Sequence, residues 1–266
     1  MPMTRCDADR IVDALRAADE GAQPIEPIRY EIPAFDIDDA YDIQRRLIEG
    51  RLASGARRVG RKIGLTSPAV QAQLGVSQPD FGVLLDDMRV EEHGVVDVSR
   101  LIRPRVEAEI AFVLRSDLTD SQIDLGSVVG AVGYATAALE IVDSRIRGWD
   151  ISIVDTIADN GSSGRFVLGS VRRPLAALYP KDVQMRMTSN GRIVSQGSGD
   201  ACLGDPLNAL LWLATKARDL GDPLRAGEVV LSGALGPMHS VAAGEYVRAE
   251  LTGLGSVSIE FVEGVR

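Results

Sequence analysis

The feature that most constrains the fold of this chain is a pair of glutamates inside an apolar run. Residues 105–114 read RVEAEIAFVL, so Glu107 and Glu109 stand one residue apart among mostly hydrophobic neighbours. Such a run predicts a β-strand, whose alternation places both carboxylates on one face, roughly 7 Å apart. That face is either the solvent side of an amphipathic strand or part of a buried site. In a buried site the carboxylates lose hydration and repel each other, so they need a partner such as a hard divalent cation.

Composition indicates a globular protein with one sizeable core. The chain has 266 residues, of which 45% are hydrophobic and 25% charged, values that are usual for folded domains. The net charge of −9 argues against nucleic acid or an anionic membrane as a partner. No apolar stretch approaches the ~20 residues of a membrane span. Because residues 1–10 lack the apolar core of a signal peptide, and Cys6 and Cys202 suit a reducing compartment, we expect a cytoplasmic protein.

The small number of histidines narrows the chemistry further. His93 and His239 are the two histidines of the sequence, which is too few for a histidine-rich zinc or iron site. The sequence has no Gly-x-Ser-x-Gly elbow to support a serine nucleophile, and no Walker or Gly-x-Gly-x-x-Gly motif to support nucleotide binding. An oxygen-ligand metal site is the option that remains.

Apolar periodicity predicts helices near the N-terminus and strands towards the C-terminus. Helical spacing covers residues 7–20, 36–52 and 207–220, with Asp205 in position to cap the last helix. Strands are predicted over 228–232, 245–251 and 256–262. We therefore predict an α+β fold, with a helical and mixed N-terminal lobe over residues 1–90 and a β-rich catalytic domain over residues 91–266 that work as one functional unit.

An ordered set of short motifs carries a resemblance to a known family. Besides Glu107, Glu109 and Glu140, the set comprises residues 61–66 (RKIGLT), 78–82 (QPDFG), 154–156 (VDT), 158–164 (ADNGSSG), 202–204 (CLG), 206–209 (PLNA) and 232–238 (SGALGPM). Taken in this order, between about residues 40 and 261, they resemble the 2-keto-4-pentenoate hydratases, a branch of the fumarylacetoacetate hydrolase superfamily. Any one of these motifs is weak evidence, but the ordered set is strong.

The resemblance implies a fold and a set of site residues. The fold is a mixed β-roll or barrel-like core in the C-terminal portion, with the metal at its mouth. Mg²⁺ or Mn²⁺ is implied as the cofactor, with Glu107, Glu109 and Glu140 as its ligands. Lys62 and Asp80 are implied as catalytic proton-transfer residues. The implied substrate-binding residues are Leu65, Thr66, Asp159, Asn160 and Ser162.

Each of these residues also has a purely structural interpretation. Lys62 has several arginines nearby in the sequence, and under the structural interpretation it is an ordinary solvated lysine. Asp80 lies in a Pro-Asp-Phe-Gly segment that is typical of a type I turn. Asp159, Asn160 and Ser162 are then residues of a plain turn.

The implied reaction is the addition of water to 2-hydroxypenta-2,4-dienoate, or a close alkyl homologue, which gives a 4-hydroxy-2-oxo acid in meta-cleavage catabolism of aromatic or steroid rings. The resemblance also implies a cytoplasmic homo-oligomer, which would act on a small 2-hydroxydienoate or 2-oxo acid and associate with pathway neighbours. The nearest alternative is decarboxylation of a 2-oxo-3-enedioate of the 4-oxalocrotonate type. Hydrolysis of an acylpyruvate ranks third, because it needs a histidine–glutamate pair that the motifs do not place. The alternative from outside the enzymes is a non-catalytic subunit that binds a keto acid.

Overall fold

The computed structural model describes residues 3–32, 36–67, 71 and 76–264. The helices are α1 (Arg5–Gly21), α2 (Ile37–Ala53), α3 (Leu125–Ala131), α4 (Ile153–Ala158) and α5 (Pro206–Asp219). The strands are β1 (Arg58–Gly64), β2 (Asp80–Leu85), β3 (Arg89–Val90), β4 (Val95–Asp97), β5 (Arg105–Leu114), β6 (Val132–Val142), β7 (Ser163–Leu168), β8 (Gln184–Ser189), β9 (Arg192–Ser198), β10 (Val229–Ala234), β11 (His239–Ser240), β12 (Tyr246–Leu251) and β13 (Gly255–Val262). The α+β prediction is confirmed.

Local sequence explains where the long helices begin and end. Thr4 and Asp7 form a capping box at the start of α1, and the Asp36 side chain accepts the first N–H groups of α2. Asp205 caps α5 by accepting the N–H of Leu207 at 2.9 Å, as the sequence predicts. Gly221, with a φ of 76°, closes the same helix. No helix among the described ranges is both long and apolar enough to span a bilayer.

The strands form two sheets. The larger sheet has the order β2-β1-β10-β5-β6-β7-β3, with β11 beside β5, and it mixes parallel and antiparallel pairs. The smaller sheet has the order β4-β13-β12-β8-β9. Strand β6 is buried along most of its length. The large sheet takes β1, β2 and β3 from residues up to 90 and its other strands from later residues. The division of the chain at residue 90 stays a prediction.

Candidate active site

The three predicted ligand glutamates come together on two neighbouring strands. Antiparallel pairing of β5 with β6 sets Glu107 opposite Glu140, and Glu109 opposite Ala138. One carboxylate oxygen of each glutamate lies within 4.8 Å of the others. Glu109 and Glu140 are buried and Glu107 is partly buried. The interpretation of this face as a solvent-exposed strand surface is therefore wrong.

The cluster leaves buried carboxylate oxygens without partners. Glu109 Oε2 accepts the backbone N–H of Gly233 at 2.7 Å, whereas Glu109 Oε1 and Glu140 Oε2 have no hydrogen-bond partner in the described part of the chain. Gly233 has a φ of 106°, and a Cβ there would lie 2.3 Å from Thr66 Oγ1, so a glycine is required at this position.

Lys62 is the cation that faces the cluster. Its Nζ lies 3.2 Å from Glu140 Oε1, and the residue is only 4% exposed. The interpretation of Lys62 as a solvated lysine is therefore wrong. Burial lowers the pKa of Lys62, but the carboxylates of Glu140 and Asp80 outweigh this effect and raise the pKa above its ordinary value.

Burial raises the pKa of each glutamate in the cluster, and the charges of neighbouring glutamates add to this effect at Glu107 and Glu109. Burial, followed by the charge of Glu140, raises the pKa of Glu107 to about 7. Burial and the charges of Glu140 and Glu107 raise the pKa of Glu109 well above its usual range. Burial also raises the pKa of Glu140, although the nearby Lys62 opposes the effect. The three glutamates converge, offer only oxygen ligands and include oxygens without a described partner, and burial disfavours their negative charges. These properties fit a hard divalent cation.

Asp80 lies beside this cluster as the first residue of β2, where it pairs with Gly64. The predicted turn over residues 79–82 is therefore wrong, because the chain is already extended at Asp80. The carboxylate is buried, which raises its pKa. Asp80 Oδ2 accepts a hydrogen bond from Thr156 Oγ1 at 3.0 Å, and Asp80 Oδ1 has no partner among the described residues.

Lys62, Asp80 and Glu107 line a cavity of about 490 Å³, together with Thr66, Thr156 and Ser162. The rest of the wall is largely apolar and includes Leu65, Trp149, Ile151, Leu235, Pro237 and Met238. The cavity therefore offers charged groups for an anionic head group and apolar surface for a tail.

Two predicted substrate-binding residues, Asp159 and Asn160, have side chains that form hydrogen bonds with other residues of the protein. Asp159 accepts hydrogen bonds from the buried Arg145 guanidinium and from the Ser162 hydroxyl. The Asn160 side chain accepts the N–H of Val83 and donates to its carbonyl oxygen. Neither side chain lines the cavity, whereas Leu65, Thr66 and Ser162 do. The roles of Asp159 and Asn160 in substrate binding stay predictions.

The sequence interpretation did not identify several residues that shape the site. Thr156 holds Asp80, the Gly233 N–H binds Glu109, and Trp149 forms part of the apolar wall. Thr156 and Gly233 belong to the quoted motifs 154–156 and 232–238, so a signal existed for them. Trp149 lies in none of the quoted motifs.

Comparison with known proteins agrees with this geometry. A family profile described as fumarylacetoacetate (FAA) hydrolase C-terminal matches residues 77–262. A 2-keto-4-pentenoate hydratase of Paraburkholderia phymatum is 51% identical over 249 residues, covering 94% of this chain and 95% of the relative. A 2-hydroxyhexa-2,4-dienoate hydratase of Comamonas testosteroni is 41% identical over 256 residues, covering 96% of each chain.

A solved structure also matches almost the whole chain. It is the 4-oxalocrotonate decarboxylase of Pseudomonas putida G7 complexed with magnesium and adipate. The match has a TM-score of 0.94 and 34% identity, and it covers 97% of this chain and 98% of that one. The predicted barrel-like fold is confirmed, and the chain belongs to the fumarylacetoacetate hydrolase family and, within it, to the 2-keto-4-pentenoate hydratases.

Proposed function

We propose that this protein is a metal-dependent hydratase, a hydro-lyase. It adds water to 2-hydroxypenta-2,4-dienoate or a close alkyl homologue and forms a 4-hydroxy-2-oxo acid in meta-cleavage catabolism. One observation carries the proposal: the buried Lys62 and Glu107, a member of the carboxylate cluster, line a cavity whose walls are largely apolar. The hydratases at 51% and 41% identity support it. On the basis of the family resemblance, we also propose that the protein is a cytoplasmic homo-oligomer and that it associates with pathway neighbours.

Glu107, Glu109 and Glu140 would hold the divalent cation, Mg²⁺ or Mn²⁺, through the unpartnered oxygens described above. Magnesium in the similar decarboxylase structure supports this choice. When bound, such a cation supplies Lewis-acid polarisation to oxygen atoms of a 2-oxo acid.

Lys62 and Asp80 would move the protons of the reaction. The substrate must change from a dienol to a keto acid, and water must then add to the far alkene carbon, so protons must be both taken up and delivered. Lys62 Nζ stands at the carboxylate cluster, and Asp80 Oδ1 has no hydrogen-bond partner among the residues that the structure describes. Leu65, Thr66 and Ser162 would contact the substrate from the cavity wall. The largely apolar walls would limit the access of bulk water to the reacting carbons.

The decarboxylase alternative is kept because of the 0.94 TM-score to a 4-oxalocrotonate decarboxylase. An enedioate carries a second carboxylate, for which a second cation is expected near the tail. Among the described residues that line the cavity, however, Lys62 is the only cation. Nearby arginines have other partners: Arg145 binds Asp159, and the Arg105 guanidinium stacks 4.3 Å from the Trp149 ring centre.

The non-catalytic alternative, a keto-acid binding subunit, offers no reason for a proton-transfer lysine to stand beside the carboxylates. A hydratase requires one, so we favour the enzyme.

One assay separates the two reactions. With Mg²⁺ present, we expect rapid loss of the dienoate ultraviolet absorbance with formation of a 4-hydroxy-2-oxo acid, and slow or no carbon dioxide release from the enedioate. EDTA should abolish the activity, and Mg²⁺ or Mn²⁺ should restore it far better than Zn²⁺, because the site offers neither histidine nor cysteine ligands. Fast carbon dioxide release with an untouched dienoate would establish the decarboxylase instead, and full activity in metal-stripped protein would contradict the metal site.

A further inference from the structure

The Asp80 carboxylate is held in one orientation at the cavity wall. Its Oδ2 accepts the Thr156 hydroxyl at 3.0 Å, and both residues are buried. Its Oδ1 packs against Gly64, where an added Cβ would lie only 2.1 Å away, and has no hydrogen-bond partner in the described ranges. Because Asp80 lines the cavity, a carboxylate fixed at one oxygen in this way keeps its other, buried oxygen without a described partner beside the space for a bound molecule.

A second contact fixes the strand and the helix that carry this pair. The buried Gln44 of α2 donates from Nε2 to the carbonyl oxygens of Phe81 and Ile157, each at 2.8 Å. These two residues directly follow Asp80 and Thr156 in sequence. One amide group of an N-terminal helix therefore ties β2 to α4 beside the Thr156–Asp80 hydrogen bond.

A further ion pair anchors α4. The Asp155 carboxylate accepts the backbone N–H of Arg29 at 2.8 Å and a guanidinium N–H of the same residue at 3.0 Å. Thr156 follows Asp155 on this short helix, so its hydroxyl has little freedom to move away from Asp80. Fixed donors of this kind set the direction of a neighbouring reactive group.

We propose that Thr156 and Gln44 are positioning residues that aim Asp80 Oδ1 at the substrate. The inference rests on the proposed function, because it assumes that Asp80 transfers a proton in the reaction. Neither residue reacts itself. Thr156 orients the carboxylate, and Gln44 fixes the distance between β2, which carries Asp80, and α4, which carries Thr156.

The test compares variants of nearly equal shape. Thr156→Val removes the hydroxyl with little change in volume, Thr156→Ser keeps a hydroxyl, and Gln44→Met removes the donor at similar length. Thr136→Val is the matched control, because Thr136 is also buried and donates one hydrogen bond, to the Gly169 carbonyl at 2.8 Å.

We expect Thr156→Val and Gln44→Met to lower kcat by roughly 10- to 100-fold, the scale of a misplaced catalytic group. KM and Mg²⁺ affinity should stay within about threefold, because the carboxylate cluster is untouched. Thr156→Ser should recover most of the rate, and Thr136→Val should turn over like the wild type. In an Asp80→Asn background, Thr156→Val should add almost nothing, because both changes act on one group.

Two results would overturn the inference. One is a Thr156→Val enzyme with normal kcat. The other is a loss of kcat in Thr156→Val that adds in full to the loss of kcat in Asp80→Asn. Should Thr156→Val not fold, Gln44→Met and Thr156→Ser decide the question by the same measurements.

Exchange of the C3 protons of 2-oxopentanoate in D₂O, followed by NMR, reports proton transfer without hydration. If wild type exchanges these protons but does not hydrate the dienoate, the proposed function fails alone, and the variants are judged by the exchange rate. Absence of both reactions in the wild type would overturn the inference together with the function.

Discussion

The strongest physical consequence of the glutamate cluster is that bound metal should oppose the pH dependence of stability. Glu107 has an ordinary pKa of 4.5 when the chain is unfolded, and burial beside Glu140 raises it to about 7 in the folded protein. An acid with a higher pKa in the folded state binds its proton more tightly there, so its contribution to stability is complete below pH 4.5 and is lost as pH rises towards about 7.

The size of this effect follows from the two pKa values. Each tenfold change in proton affinity corresponds to about 1.4 kcal/mol, so the interval from 4.5 to about 7 corresponds to about 3 kcal/mol. Burial shifts Glu109 and Glu140 in the same direction. Without metal, we therefore expect the free energy of unfolding to fall between about pH 5 and about pH 7.

Mg²⁺ should oppose this trend and offset most of the loss calculated for Glu107. The metal binds the ionised carboxylates and competes with protons, so its stabilisation grows as pH rises, reaching about 2.7 kcal/mol at a concentration 100-fold above Kd. Urea unfolding at fixed protein concentration, with EDTA or with excess Mg²⁺, measures both slopes. Glu107→Gln is the control, since it should flatten the EDTA curve relative to wild type. Identical pH dependence of wild type and Glu107→Gln in EDTA would refute the reasoning.

Two further substitutions test separate parts of the protein, and a third serves as a control. Lys62→Ala should lower kcat by roughly 10²- to 10⁴-fold while Mg²⁺ affinity, measured by calorimetry, stays close to wild type; normal turnover would exclude Lys62 from proton transfer. Arg145→Ala should lower the free energy of unfolding by about 3 to 5 kcal/mol, because it leaves the buried Asp159 unpaired. Arg147→Ala breaks an exposed pair with Glu26 and should cost less than about 1 kcal/mol in the same urea assay.

Much of the fold could be predicted because the signals are local. The alternating pattern of residues 105–114 gives β5 and places Glu107 and Glu109 on one face. The cap at Asp205 and the glycine after α5 set the limits of that helix within a few residues. The carboxylate cluster followed from the ordered motifs, and the structure brings its three members together.

Partners distant in sequence explain what could not be predicted. Residues 58–64 carry three charged side chains and look like surface, yet Arg61 is buried against Asp222, which lies 161 residues further on. Asp80 is extended rather than in a turn because β2 pairs with β1, and Thr156, 76 residues away, donates a hydrogen bond to one oxygen of its carboxylate. The contacts of Gln44 span 37 and 113 residues, so no local pattern marks this glutamine as part of the site.

The position of Lys62 has a consequence for how this family can diversify. The matched family segment begins at residue 77, so it contains all three glutamates but neither Lys62 nor Gln44. A gene fusion at the start of that segment would inherit the carboxylates from one parent and the lysine from the other. We expect such chimaeras to keep the three glutamates and Asp80 while exchanging Lys62 and the helix that carries Gln44.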